Sequence, residues 1–247
     1  MLDVVREWVQ DAQHICVLTG AGISAESGVP TFREAQTGYW ALHRPEDMAS
    51  EAGFRANPEL VWSWYEHRRQ LVAAVKPNAA HYALAQFEQS FSGKFSLVTQ
   101  NVDGLHQQAG SSATICLHGE LQKDLWLEPA QPCCVDAETH QSFAQTVPPR
   151  CSVCGNLRRP AVVWFGERLP SQALALAEEA ASRCDLMFVV GTAGVVYPAA
   201  GLVFQAREQS ARIVIVNTTQ TELDALADFV VTGTASKIVP AIFGVTL

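Results

Sequence analysis

The sequence predicts an α/β fold: a Rossmann-like, doubly wound parallel sheet with a smaller module made of a helical insertion and a zinc-ribbon-like insertion. Three observations point there. Short apolar runs recur along the chain, a Gly-rich turn follows the first of them directly, and two long segments interrupt the alternation.

The runs are His14 to Thr19, Phe95 to Gln100, Ala113 to Leu117, Asp185 to Gly191, Arg212 to Asn217 and Asp228 to Thr232. Each is rich in Val, Ile, Leu or Phe without strict alternation, the pattern of strands covered on both faces. Helical stretches separate most of them, including Ala79 to Ser90, Ser171 to Ser182 and Pro198 to Gln209. At the start, Val5, Trp8, Val9 and Ala12 fall at helical spacing. Asp3, Arg6 and Glu7 make this an amphipathic helix rather than the basic-then-apolar layout of a signal peptide. The interruptions are Glu34 to Pro77, rich in Trp and His and mostly helical, and Glu120 to Arg159, with several prolines and a cysteine cluster. The expected division is a Rossmann-like part at approximately 1–33, 78–119 and 160–247 and a small module at approximately 34–77 and 120–159, within one domain of 247 residues.

A hydrophobic content of 48% suffices for a full core, and the formal net charge of -8 argues against general nucleic-acid binding, which needs clustered Lys and Arg. No apolar run is long enough to span a membrane, and the expected location is the cytoplasm. Of the seven cysteines, Cys16, Cys116 and Cys184 lie in or beside apolar runs and read as small buried residues. Cys133, Cys134, Cys151 and Cys154 cluster, which in a reducing compartment points to metal rather than disulfides.

The first run leads into Gly20-Ala-Gly-Ile-Ser-Ala25, which fits the dinucleotide fingerprint with Ala in its last position. The first Gly permits a tight turn, the second permits close approach to a pyrophosphate, and a helix start would aim free N–H groups at the phosphates. Ligands of such sheets bind where the strands end at their carboxyl side. The acidic residue that a dehydrogenase carries at the end of its second strand is missing, and the loop continues unusually as Glu26-Ser-Gly-Val-Pro-Thr-Phe-Arg33.

With that continuation, the chain resembles the sirtuins, NAD-dependent protein lysine deacylases. The motifs occur in the family's order: Gly20 to Arg33, Thr99-Gln-Asn-Val-Asp-Gly-Leu-His106, Leu117-His-Gly119, Val162-Val-Trp-Phe-Gly-Glu167, Gly191-Thr192 with Val196-Tyr-Pro198, and Val216-Asn217. The resemblance implies that NAD is consumed: the acyl oxygen attacks the ribose carbon that nicotinamide leaves. Gly20, Ala21, Gly22 and Ser24 would seat the cofactor loop, with Phe32 and Arg33 closing it. Gln100, Asn101 and Asp103 would contact nicotinamide and its ribose, Asn217 the adenosine ribose, and Gly191, Thr192 and Ala235 the adenosine. Asn101, Asp103 and His118 would be catalytic, His118 as general base. An acyl-lysine protein or peptide would bind as an added strand along Val163, Trp164, Phe165, Gly166 and Glu167 and along Gly194, Val195 and Val196. On the residues alone, His118 is a single His after an apolar run, and Asn101 and Asp103 are turn formers.

Tyr65 and Arg68 are three apart, so a helix would place them on one face. Arg can grip a carboxylate through paired hydrogen bonds and Tyr can donate a third; the same spacing also suits a solvated helix face. Here too the pair is similar to the sirtuin class that removes succinyl, malonyl or glutaryl groups, and Ala49 falls where that class uses a small residue. The resemblance implies a preference for acidic acyl-lysines, with some deacetylation.

Zinc modules of the family use two Cys-x-x-Cys pairs. Cys151-Ser-Val-Cys154 supplies the second, while Trp126 and Pro129 stand where the first would be and Cys133-Cys134 comes shortly after. Two readings stay open: structural zinc on Cys151, Cys154, Cys133 and Cys134, or with a single one of the adjacent pair plus His140, and a zinc-free module packed around Trp126 and Leu127. Ala193 replaces the family's usual Ser, removing a possible cofactor hydrogen bond. Competing functions are a catalytically silent acyl-lysine reader, a protein ADP-ribosyltransferase and, least supported, a dehydrogenase.

Overall fold

The computed structural model describes residues 2–29, 44–128, 143–144 and 146–244. Helix α1 (Asp3–Asp11) leads into strand β1 (His14–Thr19) and two short 3-10 turns, Ala21–Ile23 and Ala25–Ser27. Helices α2 (Pro45–Met48), α3 (Glu51–Ala56), α4 (Pro58–Ala73) and α5 (Ala79–Ser90) precede β2 (Lys94–Thr99), α6 (Leu105–Ala109) and β3 (Ile115–Cys116). Four more strands are β4 (Gly119–Trp126), β5 (Phe143–Ala144), β6 (Arg150–Cys151) and β7 (Arg158–Val162). Then come α7 (Ser171–Arg183), β8 (Leu186–Val190), α8 (Gly201–Glu208), β9 (Arg212–Asn217), β10 (Phe229–Thr232) and α9 (Ala235–Phe243).

The chain forms two compact units. The first takes Met1–Thr31, Val75–His118 and Leu169–Leu247, the second Phe32–Ala74 and Gly119–Arg168.

The first unit is built on a six-stranded sheet in the order β3-β2-β1-β8-β9-β10, with every pair parallel. Successive strand residues point to opposite faces, and each face has its own core. Ile15, Val17, Leu186, Phe188, Val214 and Val216 pack with α1, α5 and α9. Cys16, Leu18, Met187, Val189, Ile213 and Ile215 pack with α7 and α8. That is why these runs are apolar without alternation, and why Cys16 and Cys184 are buried as small core residues. The strand order runs outward in opposite directions from β1 and β8, so the crevice beyond their carboxyl ends is the topological switch point. Helix α5 starts after Pro77 because Asn78 caps it, accepting from Ala80 N–H at 3.0 Å while its own N–H donates to His81 Nδ1 at 3.3 Å.

Three expectations are corrected here. The run Ala113 to Leu117 pairs only at Ile115–Cys116, because β3 is an edge strand with β2 as its one neighbour. The helix expected from Pro198 begins at Gly201, after a stretch of turns. The glycine loop feeds two 3-10 turns, so the α-helix start that usually completes the fingerprint does not form there.

In the second unit, Ser50 caps α3 through Gly53 N–H at 3.1 Å, and Asn57 caps α4 through Leu60 N–H at 3.2 Å, with Pro58 opening the helix. Strands β4 and β7 pair antiparallel from Gly119↔Val162 to Trp126↔Arg158. That pairing draws residues up to Arg168 into this unit, past the limit near 160 that the sequence suggested. Arg69 fastens α4 to β4, donating to the carbonyls of Leu121 at 2.7 Å and Lys123 at 3.1 Å and to Asp124 at 2.6 Å.

Candidate functional site

At the switch point two chain segments cross with no room for side chains. Gly20 N–H donates to Val190 O at 3.0 Å and Gly22 N–H to Gly191 O at 2.8 Å. A Cβ on Gly22 would lie 2.7 Å from Gly191 Cα, and one on Gly191, at φ +65°, would lie 2.4 Å from Ile23 N. Both glycines are required by this contact. Ile23 and Ser24 N–H groups close the first 3-10 turn onto Gly20 O and Ala21 O. The amides of Gly20, Gly22, Ile23 and Ser24 are therefore engaged by backbone carbonyls, and the Gly spacing serves the loop crossing.

Ser24 is the junction of a buried polar network. Its hydroxyl donates to Asp103 Oδ2 at 2.7 Å and accepts from Asn101 Nδ2 at 3.2 Å, and the same amide also donates to Gly20 O at 3.1 Å. Asp103 Oδ1 accepts from Leu105 N–H at 2.9 Å, at the start of α6. His81 Nε2 reaches Ser24 Oγ at 3.4 Å. Because His81 Nδ1 accepts from Asn78 N–H, its proton sits on Nε2 and points at Ser24. Behind this lies His106, with ring centroids 4.9 Å apart and Nε2 at 2.9 Å from Thr19 Oγ1, which donates to Thr99 Oγ1 at 2.8 Å. Desolvation lowers His81 to about 4 and, with the neighbouring His81, His106 to about 3. Both rings are neutral near pH 7.

His118 sits just past β3. Its Nδ1–H donates to Gln100 O at 2.9 Å, which leaves the lone pair on Nε2. Burial lowers its pKa below the ordinary 6.5, partly offset by that hydrogen bond. The ring is a neutral base with its accepting nitrogen fixed. Gln100 is held in turn, its Nε2 donating to Thr192 Oγ1 at 3.2 Å.

Beyond the carboxyl ends of β1, β8, β9 and β10 opens a cleft lined by Gly22, Ala25, Glu26, Gly191, Val216, Asn217, Thr218, Gly233, Thr234 and Ala235. Asn217 is oriented by its Nδ2 bond to Thr192 O at 3.3 Å and by Thr218 N–H, which donates to its Oδ1 at 2.9 Å. Apolar Val216, Ala25 and Ala235 beside an amide, two hydroxyls and a carboxylate suit an adenine ring and ribose hydroxyls, so this donor set fits the adenosine half of NAD. Of the expected adenosine residues the cleft gathers Gly191, Asn217 and Ala235, together with Gly22 of the cofactor loop; Thr192 is not in its lining and bonds Asn217 through its carbonyl. Ala193 is exposed, and its carbonyl accepts from Glu222 N–H at 3.3 Å.

The second unit carries the Tyr65 and Arg68 pair on α4. The solvated-face alternative does not hold for Tyr65, which is 2% exposed. Its hydroxyl accepts from Trp164 Nε1–H at 3.0 Å. Desolvation pushes the phenol up to about 12, so it keeps its proton. The Arg68 guanidinium lies 4.9 Å from the Trp64 ring centroid and 5.9 Å from that of Tyr65. Trp164 is itself clamped: Arg159 stacks on its ring at 3.4 Å, Phe54 lies at 5.2 Å, and Glu167 Oε2 accepts from its backbone N–H at 2.8 Å. Arg159 also forms a two-pronged pair with Glu167 and donates to Val162 O at 2.8 Å. Ala49 is buried, and its carbonyl accepts from Phe165 N–H at 2.8 Å.

The expected peptide-clamping segments are not strands in themselves. Only Val162 belongs to β7; residues 163–164 are irregular and Phe165 and Gly166 form a turn closed by Glu167 N–H to Trp164 O at 3.0 Å. Phe165, Val195 and Val196 are exposed apolar side chains in the two segments, and Gly194, buried and at φ +77°, packs toward Leu223. Phe32 and Arg33 lie outside the described residues.

So do Cys133, Cys134 and His140. Cys151 is buried and Cys154 exposed, in a turn closed by Gly155 N–H to Cys151 O at 2.9 Å. Cys151 packs with Trp126, over whose ring Arg158 lies at 4.9 Å. Among the described residues no group of three or more His, Cys, Asp or Glu is placed to hold a metal.

The Sir2 family profile matches residues 20–198. The chain belongs to the Sir2 family. Its relatives include the NAD-dependent protein deacylase of Ralstonia nicotianae, 51% identical over 96% of this chain and 93% of that protein, and the one of Aquifex aeolicus, 47% identical over 87% of each. Solved structures agree. A Sir2 homologue in complex with NAD has a TM-score of 0.87 at 38% identity, covering 98% of this chain and 92% of its own. Sir2 bound to acetylated peptide has a TM-score of 0.83 at 28% identity, covering 99% and 98%. Within this Sir2 chain, sequence reasoning missed His81, Thr19 and Thr99 behind Ser24, Glu26 and Thr218 in the cleft, and Arg159 behind Trp164. A buried His at the third position of a capped helix was the one available signal, and it reads equally as a cap.

Proposed function

We propose that this chain is an NAD-dependent protein lysine deacylase that removes succinyl and malonyl groups, and acetyl groups less readily, from lysine, releasing nicotinamide and O-acyl-ADP-ribose. The observation that carries the reading is His118, a buried neutral imidazole whose Nδ1–H is spent on Gln100 O and whose Nε2 is left to accept a proton. NAD supplies a ribose carbon made electrophilic as nicotinamide departs. Asn217 and Ala235 would hold its adenosine half. Asn101 and Asp103, fixed through Ser24, would orient the carboxamide and ribose at the other end, and Gln100 and Thr192 would back them. His118 Nε2 would take a proton from a ribose hydroxyl. Phe32 and Arg33 would complete the cofactor loop.

For the acyl group, Arg68 would pair with a terminal carboxylate and Tyr65 would donate its phenolic proton, since Trp164 already fills an accepting position on that oxygen. Ala49 would leave room for the longer chain. Exposed Phe165, Val195 and Val196, with the backbone of Val163, Gly166, Glu167 and Gly194, would receive the extended peptide. In the same reading Cys151 and Cys154 would hold structural zinc with Cys133 and Cys134; metal analysis showing far less than one zinc per chain would leave the Trp126 packing as the alternative. The reading places the enzyme in the cytoplasm.

The test is a panel of succinyl-, malonyl-, glutaryl- and acetyl-lysine peptides with NAD, read by mass spectrometry. Loss of the acyl mass, fastest for acidic groups, supports the proposal. A peptide that instead gains ADP-ribose would make it a transferase, and no reaction with retained peptide binding would make it a reader.

A further inference from the structure

The acid that a dinucleotide enzyme usually carries at the end of its second strand is absent, yet the adenosine cleft does contain a carboxylate. It comes from the glycine loop. Glu26 lines the cleft together with Asn217, Thr218 and Thr234, and its Oε2 accepts from the backbone N–H of Ser236 at 3.0 Å. Ser236 is in the first turn of α9, a nine-residue helix whose N-terminal amides and dipole favour an anion. Lys237 is next on the same turn, and its charge acts on Glu26. Burial alone would raise the Glu26 pKa, but the Ser236 donors, then the Thr234 hydroxyl and the Lys237 ammonium, bring it below its ordinary value, so the group is ionised at neutral pH. One end of the cleft is thus an anion-binding corner already filled by the protein's own carboxylate.

We propose that Glu26 sets the choice of NAD over NADP, by filling the corner of the adenosine cleft that a 2′-phosphate would need. This rests on the reading that the cleft receives the adenosine half of the dinucleotide. NAD and NADP differ there by one phosphate of about two negative charges. Beside an ionised Glu26 that phosphate meets repulsion and finds the Ser236 N–H taken. A ribose hydroxyl meets no such penalty. Without the carboxylate, the same corner offers a free backbone donor, the positive end of α9 and Lys237, the elements from which phosphate sites are made.

The experiment is calorimetric titration of the purified full chain with NAD and NADP, in wild type, Glu26→Gln, Asn217→Ala and Glu26→Gln/Lys237→Glu. Glu26→Gln is expected to tighten NADP about tenfold, the size of one or two partly screened charge interactions, and to change NAD by less than about threefold. The gain should shrink at high salt and vanish in the double variant. An unchanged NAD-to-NADP ratio, with both affinities falling together, would mean that Glu26 only caps α9 and would overturn the proposal. If Glu26→Gln does not fold, Lys237→Glu alone carries the test: it should weaken NADP and spare NAD, and equal effects on both overturn it. Asn217→Ala separates the underlying reading. If it leaves NAD affinity untouched, the cleft is not the adenosine site and the proposal falls with it; if it weakens NAD while the Glu26 ratio stays fixed, only the proposal fails.

Discussion

The two units hold their functional side chains by different physics. Around Ser24, neutral and ionised polar groups are buried against one another and nearly every donor has a named acceptor. Around Tyr65, cations lie on aromatic faces, Arg159 on Trp164 and Arg68 on Trp64, beside the Trp164–Tyr65 hydrogen bond and the Arg159–Glu167 pair. A densely hydrogen-bonded polar network fixes one geometry and tolerates little change. An aromatic column positions a phenol and a guanidinium through contacts with ring faces. In the proposed function, the first arrangement would serve the chemistry common to every substrate and the second the selection among acyl groups.

The strongest attack on that comparison is His118→Ala. Loss of a general base is expected to lower kcat by about 10²–10⁴, by the same factor for succinyl- and acetyl-lysine, with the melting temperature little altered. Deacetylation that survives the change would break the division of labour. Next comes Arg68→Met. Removing a charged hydrogen-bond partner should cost about 1.5–3 kcal/mol of transition-state binding for succinyl-lysine, read as kcat/KM, and less than about threefold for acetyl-lysine. Equal losses would remove the carboxylate contact from the proposal. Gly22→Ala tests the loop crossing and is expected to destabilise folding by about 1–3 kcal/mol, since the new Cβ meets Gly191 backbone. Urea denaturation measures it, and an unshifted midpoint would mean that the crossing has slack.

The mildest probe is pH. A lowered His118 pKa predicts that kcat rises with pH along a limb centred below 6.5 and is flat above neutrality; a limb centred above 6.5 would point to another base. His81 and His106 act on stability with a definite sign. Their folded values, about 4 and about 3, lie below the unfolded 6.5, so unfolding takes up protons as pH falls. Stability from these rings is complete above about 6.5 and declines toward pH 3–4, which denaturant titrations across that window would track. His81→Asn should flatten part of the decline.

Much of the sheet could be read from residues alone because burial on both faces leaves continuous apolar runs; β1 and β9 coincide with theirs, and α5 with its Asn78 cap. The family could be read from long motifs such as Gly20 to Arg33. What escaped notice has physical reasons. The β3 run is apolar through packing of Leu117 while its pairing stops at an edge. The fingerprint glycines also serve a close approach to Gly191, a residue about 170 positions away that no local pattern announces. Arg159 and Trp164 lie far from Tyr65 in sequence, so no local spacing announces the column that holds it. Glu26 belongs to a loop motif in sequence, and only the fold brings the first turn of α9 to it, with Ser236 N–H as its donor.

The hydrogen bonds meeting at Ser24 have a direction. The Asn78 amide feeds one His81 nitrogen, the other feeds the Ser24 oxygen, and the Ser24 proton goes to Asp103. Reversing the His81 step would require the ring to exchange tautomers and lose the bond from Asn78 N–H. The arrangement therefore fixes the Ser24 hydroxyl as a donor to Asp103 and an acceptor from Asn101 and His81. That polarity starts in the first turn of a helix more than twenty residues before Asp103.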